Sequence, residues 1–461
     1  MQHLKSALIW QQAMKSPSKW AWVIVVLVYA GICLMFQPWH RSNFIREDVV
    51  SYYAYLPAVW VHQDVGMHYS AGNAYYGDKV WGEVKRPGLG PVSKYTMGMA
   101  FLYTPGFLMG HLHAKWGGWT ADGYTMPYRL WMQINILAYL ALGLIVLRRL
   151  LLGLVGEWAT ALTLLGLGLA TNLFYYVVAE PGMPHATLFM LVSAFMWFTV
   201  RFRVEATWSH ALYLGLTGGL ICLIRPNHAV LWALPLLYGF RGGLSWREGW
   251  RFWWGNKGKV ALMLVLPVIL FIPQLLYWKH STGEFLHYSY GDEGFFWLQP
   301  KMMDLLFSFR KGLFLYTPLA LVACVGFLWG RKHTAGWGWA GPLVLGITAY
   351  VMAAWWCWWY GGSLGQRAFI DVFPMLAVGL AAFFVRFVVD RQPSRRVWAG
   401  ALIGLLCAWN GILTLQYQRG VLHHDAMTAR AFLGTLGKLN PPIELESWLD
   451  HPDYEAAKQS R

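Results

Sequence analysis

Residues 95–113 read YTMGMAFLYTPGFLMGHLH, and whether this stretch crosses a bilayer decides how the whole chain is threaded. It is apolar enough to cross, yet it carries Pro105, Gly98, Gly106, Gly110, His111 and His113. A span needs about 20 predominantly apolar residues. Around it, the clearest candidates are 20–39, 129–147, 158–178, 260–278, 313–329, 336–356, 368–389 and 397–416, with 185–201 and 208–224 shorter. Segment 227–240 follows Arg225-Pro226-Asn227, so 208–240 reads as two spans meeting at a polar turn. The expected fold is an all-α polytopic membrane protein of eleven spans.

Charge places 95–113. Lys and Arg near span ends favour the cytoplasm. If 95–113 does not cross, Lys5, Lys15, Lys19, Arg148, Arg149, Arg201, Arg203, Arg241, Arg247, Arg251, Lys257, Lys259, Arg331, Lys332, Arg386, Arg391, Arg395 and Arg396 all face inward. They meet only Glu157, Glu205, Glu248 and Asp390 there. If it crosses, Arg148-Arg149 and every later cluster falls outside. The first threading is expected, with 95–113 a membrane-dipping helix inside an outer loop, 40–128. The N-terminus is then cytoplasmic, and a short outer tail, 417–461, follows a transmembrane domain of 1–416. The net charge of +15 is mostly this asymmetry, so no nucleic-acid partner is expected. The opening residues show no cleavage site of a signal peptide.

Composition agrees. Hydrophobic residues make up 57% of the 461 and charged residues 13%, against roughly 25% charged in a soluble domain. This excludes a cytosolic enzyme, a secreted disulfide scaffold and a disordered chain. Four of the five cysteines (33, 222, 324, 407) fall in spans and Cys357 stands alone, so neither a disulfide nor a cysteine metal site is expected.

Eighteen of the 22 carboxylates fall on the expected outer side. There is no Gly-rich phosphate loop and no cytosolic domain for a nucleotide. FIREDVVSYYAYLP opens the first loop, with Glu47 and Asp48 ahead of Tyr52 and Tyr53; this is either a helix start with acids at its positive end or a carboxylate held at the lipid interface. Lys94 at the mouth of the dipping helix is either a snorkelling anchor or an ammonium placed for a lipid phosphate. In HYSYGDEGFFWLQPKMMDLLFSFRKGLFLYTP, Tyr288, Tyr290 and Glu293 lie in an aromatic loop, and Arg310-Lys311 sit on the face where cations are disfavoured. In AAWWCWWYGGSLGQRAFIDVFP an aromatic belt precedes Arg367 and Asp371, four residues apart on one α-helical face; they either neutralise each other or form part of a site. Glu180 with His185 marks the turn between the third and fourth spans, and Arg225 the turn between the fifth and sixth. His111, His113, His423 and His424 lack a repeated ligand spacing and read as interfacial or structural.

The segments DVVSYYAYLPAVW, KYTMGMA, AEPGMPHA, LIRPN, YSYGDEGF, FSFRKGLFLYTP and WWYGGSLGQRAFID resemble bacterial members of the GT-C superfamily of membrane glycosyltransferases, the class of protein O-mannosyltransferases and lipid A aminoarabinose transferases. The likeness covers most of 20–425. Thr96 stands where the family pattern has proline, and the acidic pair reads Glu-Asp where Asp-Glu is commoner. The resemblance implies inverting transfer of a sugar from a polyprenyl-phosphate carrier to a periplasmic glycan, lipid or protein acceptor at the outer face of a bacterial inner membrane. It implies Asp48 as general base, from the Asp-x-x-x-Tyr-Tyr spacing, with Glu47 second. Lys94 is the implied phosphate ligand, with Arg310, Lys311 and Arg367 as further candidates. Tyr52, Tyr53, Tyr288, Tyr290, Glu293, Glu180, His185 and Asp371 are candidates for holding sugar or acceptor. Some relatives need a divalent ion; no ligand set beyond Asp48 and Glu293 is legible, so no obligatory metal is expected, and a divalent ion stays open. The competing readings are a flippase of lipid-linked saccharide, against which no internal repeat is visible, and a non-catalytic membrane subunit.

Overall fold

A computed structural model of the chain describes residues 16–70, 82–239, 245–392 and 394–459. Lys5, Lys15 and Arg241, three of the cations assigned to the cytoplasmic face, lie outside the described residues. Among the described residues, seven helices are long and apolar enough to cross a membrane: Pro17–His40, Met126–Leu152, His185–Val204, Lys257–Thr282, Trp337–Ala354, Arg367–Val389 and Ser394–Gln418. Three shorter apolar helices, Glu157–Leu169, Trp208–Ile224 and Leu319–Trp329, complete the bundle. This is an all-α, multi-pass membrane protein.

The expectation of eleven uninterrupted spans is corrected in three places. Segment 158–178 breaks after Leu169 and resumes as Leu173–Val178. Segment 313–329 is a single turn, Leu313–Tyr316, then a helix restarting after Pro318. Segment 227–240 is a 3-10 stretch, Pro226–Trp232, and a five-residue helix, Ala233–Leu237. These twelve residues reach roughly 20 Å, short of a hydrocarbon core of about 30 Å. All three breaks sit beside polar side chains, and irregular backbone at membrane depth is tolerated where protein surrounds it. Thus the carbonyl of Leu364 accepts from buried Asn172 at 3.0 Å.

Residues 98–116 form one helix through Pro105. Beside the proline, the carbonyl of Leu102 accepts from Asn135 Nδ2 at 2.9 Å and Tyr139 Oη at 2.7 Å, which ties the helix to its neighbour. Glycine allows the close approach. A Cβ on Gly106 would stand 2.8 Å from the Trp131 carbonyl oxygen, and one on Gly98 would stand 2.6 Å from the Ile224 nitrogen. Contacts with the Met126–Leu152 helix run from Tyr139 back to Tyr128, where His111 Nδ1 meets Tyr128 Oη at 2.6 Å. The helix therefore lies along one half of its neighbour and starts against the Arg225 turn.

Basic residues gather at the far end of the bundle. Arg148 bonds Ser18 at 2.6 Å and Glu157 at 3.2 Å, and Arg396 stacks on Trp158. The opposite end is closed by the aromatic loops and by the tail, which returns through Ala429–Thr435 and Tyr454–Gln459.

Candidate active site

Between the loops, the broken helices and the tail lies a cavity of about 1590 Å³. Glu47, Asp48, Tyr52, Lys94, Glu180, Tyr288, Tyr290, Glu293 and Arg367 all line it, although they come from segments scattered through 320 residues of sequence. Asp48 is the first residue of the helix Asp48–Tyr53. Its Oδ1 accepts from Tyr95 Oη at 2.7 Å and its Oδ2 from Arg367 Nη2 at 3.0 Å. Tyr95 is in turn stacked on Tyr52, ring centres 4.3 Å apart. Burial pushes the Asp48 carboxyl up, but Arg367, the Tyr95 hydroxyl and Lys94 outweigh it and hold it below its usual range. Burial raises the Tyr52 phenol to about 12. Glu47, one residue earlier, is exposed and sits at a φ of 49°, a conformation costing a non-glycine residue about 1–3 kcal/mol.

Arg367 and Asp371 do not pair with each other. Residues Arg367–Val372 form a 3-10 turn, in which residues four apart point roughly 120° away from each other. Arg367 therefore reaches Asp48, while Asp371 turns behind the cavity wall. There it is fully buried, accepts from His185 Nδ1 at 2.7 Å and His228 Nε2 at 3.1 Å, and forms an ion pair with Arg225 Nη1 at 3.4 Å. His185 and Asp371 thus do not line the cavity; they hold Arg225, which does. Lys94 donates to Glu293 Oε1 and lies 5.2 Å from the centre of the Tyr290 ring, and Glu293 Oε2 takes a second bond from Trp356 Nε1 at 3.0 Å. Glu180 accepts from Arg46 and from Tyr175, both at 3.0 Å.

Besides His185 and Asp371, three more expected residues lie outside the lining. Tyr53 is buried and donates to the Gly123 carbonyl, pinning the first loop. Arg310 bonds the carbonyls of Asp425 and Asp450 at 3.0 and 2.9 Å and the Asp450 carboxylate at 2.8 Å. Lys311 is buried and donates to the carbonyls of Ser363 and His424; burial pushes its amine down to about 7. The pair fastens the tail and does not line the cavity. Reasoning from sequence left lining residues without a role, Arg225 and Tyr95 among them. Arg225 is the cation closing an apolar helix, a signal that was available; Tyr95 lies directly beside Lys94. Arg46, next to Glu47, was also missed as Glu180's partner.

The lining cations Arg41, Arg46, Lys94, Arg225, Arg367 and Lys458 match the lining acids Glu47, Asp48, Glu180, Glu293, Asp425 and Glu455 in number. Positive and negative side chains thus balance in number along the lining. The nitrogens Nε of Arg225 and Arg367 have no hydrogen-bond partner among the described residues. The catalytic divalent ion that some GT-C enzymes use does not fit around Asp48. Both its oxygens are occupied, one by a guanidinium, and among the described residues it forms no group with two further His, Cys, Asp or Glu ligands.

The bundle with its loop-capped cavity has a fold like that of a solved oligosaccharyltransferase structure. No family model matches the sequence and no curated protein does. Among solved structures, it is similar to the Archaeoglobus fulgidus oligosaccharyltransferase in complex with Zn and sulfate, with a TM-score of 0.51 and 13% identity over 86% of this chain and 52% of that one. The apo form of that enzyme gives a TM-score of 0.50 and 11% identity over 87% and 56%. The chain spans about half the length of these structures, and at such identities the likeness is one of fold.

Proposed function

We propose that the chain is an inverting glycosyltransferase that moves a sugar from a polyprenyl-phosphate donor to an acceptor hydroxyl on the outer side of a bacterial inner membrane. The observation that carries this reading is the Asp48–Arg367 pair, a carboxylate and a guanidinium 3.0 Å apart in the lining of the cavity. In a single displacement the acceptor oxygen bonds to the anomeric carbon as the carbon–phosphate oxygen bond breaks on the opposite face. The acceptor proton goes to Asp48, and the negative charge goes to the departing phosphate. Arg367, Arg225 and Lys94 are placed to neutralise that charge in a partly dry site. Tyr52, Tyr288 and Tyr290 offer ring faces to the sugar, and membrane lipid surrounds the prenyl tail.

The low basicity of Asp48 in the resting pair has a place in this scheme. When the donor phosphate takes up Arg367, the carboxylate loses the cation that stabilises its charged form, and its proton affinity rises as the acceptor needs it. Glu47, strained and exposed one residue away, is the second choice for the base.

The test is transfer from a radiolabelled polyprenyl-phosphate hexose in proteoliposomes, comparing wild type with Asp48→Asn. Loss of transfer by orders of magnitude supports the assignment. Unchanged transfer moves the base to Glu47 or Glu293. Absence of transfer by wild type across several donors and a crude acceptor extract turns the reading toward the flippase or the non-catalytic subunit.

A further inference from the structure

Among the described residues one group of potential metal ligands stands together: His423, Asp425 and His451, whose donor atoms all lie within 4.8 Å of one another. The first two follow the Ser394–Gln418 helix, and His451 lies between the turn Leu445–Trp448 and the helix Tyr454–Gln459. His423 Nδ1 accepts the backbone N–H groups of Asp425 and Ala426 at 3.4 and 3.2 Å, which marks it as the unprotonated ring nitrogen. It faces Asp425 Oδ1 at 3.3 Å. His424 Nε2 lies 3.4 Å from the same oxygen, so donor atoms from three side chains converge there. The spacing also suits a cation, since a nitrogen and an oxygen each about 2.0–2.2 Å from a tetrahedral zinc lie roughly 3.3–3.5 Å apart.

The surroundings are those of a ligand set. His451 Nε2 lies 2.8 Å from Glu446 Oε1, the kind of carboxylate contact that fixes a ligating histidine's tautomer and leaves its other nitrogen a lone pair. The second oxygen of Asp425 accepts from Tyr454 Oη at 2.6 Å. Arg310 ties the backbones of Asp425 and Asp450 to each other.

We propose that His423, Asp425 and His451 bind one divalent transition-metal ion of the zinc class, which fastens the tail across the mouth of the cavity. Two imidazoles with one carboxylate favour such an ion over magnesium or calcium, and the exposed side of His451 leaves a fourth position for water. Tyr454, Glu455 and Lys458 belong to the tail and line the cavity, so the ion fixes one of its walls. The proposal stands apart from sugar transfer and is read without it.

The experiment uses tag-free full-length protein in detergent, stripped with chelator and titrated with Zn²⁺ against a competing indicator. One equivalent bound by wild type, weakened about 100-fold or more by His423→Ala or His451→Ala, and on the order of 10-fold by Tyr454→Phe, is the expected result. Zn²⁺ should also slow proteolysis of the tail in wild type and not in His451→Ala. Substoichiometric binding by wild type, or equal binding by a His423→Ala/His451→Ala double variant with wild-type tryptophan fluorescence, overturns the proposal and leaves imidazolium–carboxylate pairs in its place.

Discussion

If Asp48 and a donor phosphate compete for Arg367, then Asp48→Asn has two effects of opposite sign. Transfer is lost, and the phosphate binds more tightly. In the resting structure the pair is 3.0 Å apart, with the two side chains 14% and 22% exposed. With charge centres about 4 Å apart and an effective dielectric constant near 20, the attraction is about 4 kcal/mol. An arriving phosphate must give back part of this. If half is lost on exchange, neutralising Asp48 makes phosphate binding about 2 kcal/mol more favourable, roughly 30-fold in Kd. Removal of the repulsion between the carboxylate and the phosphate acts in the same direction. The assay is direct binding of a radiolabelled prenyl phosphate to purified protein in detergent. Arg367→Gln should bind it at least tenfold more weakly, and Asp48→Asn on that background should bring a much smaller gain, because no shared cation remains. Unchanged or weaker binding in the single Asp48→Asn variant would refute the exchange argument, even if transfer were abolished.

Other outcomes follow from the same geometry. Because Arg367 and Tyr95 hold the Asp48 carboxyl below its ordinary value of 3.8, the unfolded state binds more protons as pH falls. The stability that Asp48 contributes is thus full above about pH 5 and lost as pH drops through its folded value. The melting-temperature gap between wild type and Asp48→Asn should stay level from neutral pH to about 5 and close below 4; a gap that widens with acid contradicts the pairing. Gly106→Val would drive side-chain atoms into the Trp131 carbonyl, and a loss of about 1–3 kcal/mol is expected from overpacking a helix contact, read as a lower melting temperature by tryptophan fluorescence. Arg310→Ala removes three hydrogen bonds between the stretch after the Met302–Phe307 helix and the tail. Faster proteolysis after residue 420 is the expected result, with prenyl-phosphate affinity changed less than threefold.

The sequence by itself determined the class of fold. A chain with 57% hydrophobic and 13% charged residues leaves a helical bundle in lipid as its solution, and hydropathy located eight of the ten apolar helices among the described residues to within a few residues, missing the breaks in 158–178 and 313–329. It also pointed to Asp48 and Lys94 through the resemblance to a known family, and to Arg367 and Asp371 as ionisable groups at a span. What it could not supply was partnership. A spacing of four put Arg367 and Asp371 on one face under the assumption of an α-helix; a 3-10 turn at the start of that span sent one to Asp48 and the other to Arg225, His185 and His228. Arg310 and Lys311 carried the same charge signal as Lys94, yet they serve the tail, and His423 meets His451 only because the tail folds back. Hydropathy is a local property summed over about twenty residues, whereas each of these pairings joins segments far apart in the chain. Only the packed bundle brings such side chains within hydrogen-bonding distance, so the tertiary structure alone decided which carboxylate faces which cation.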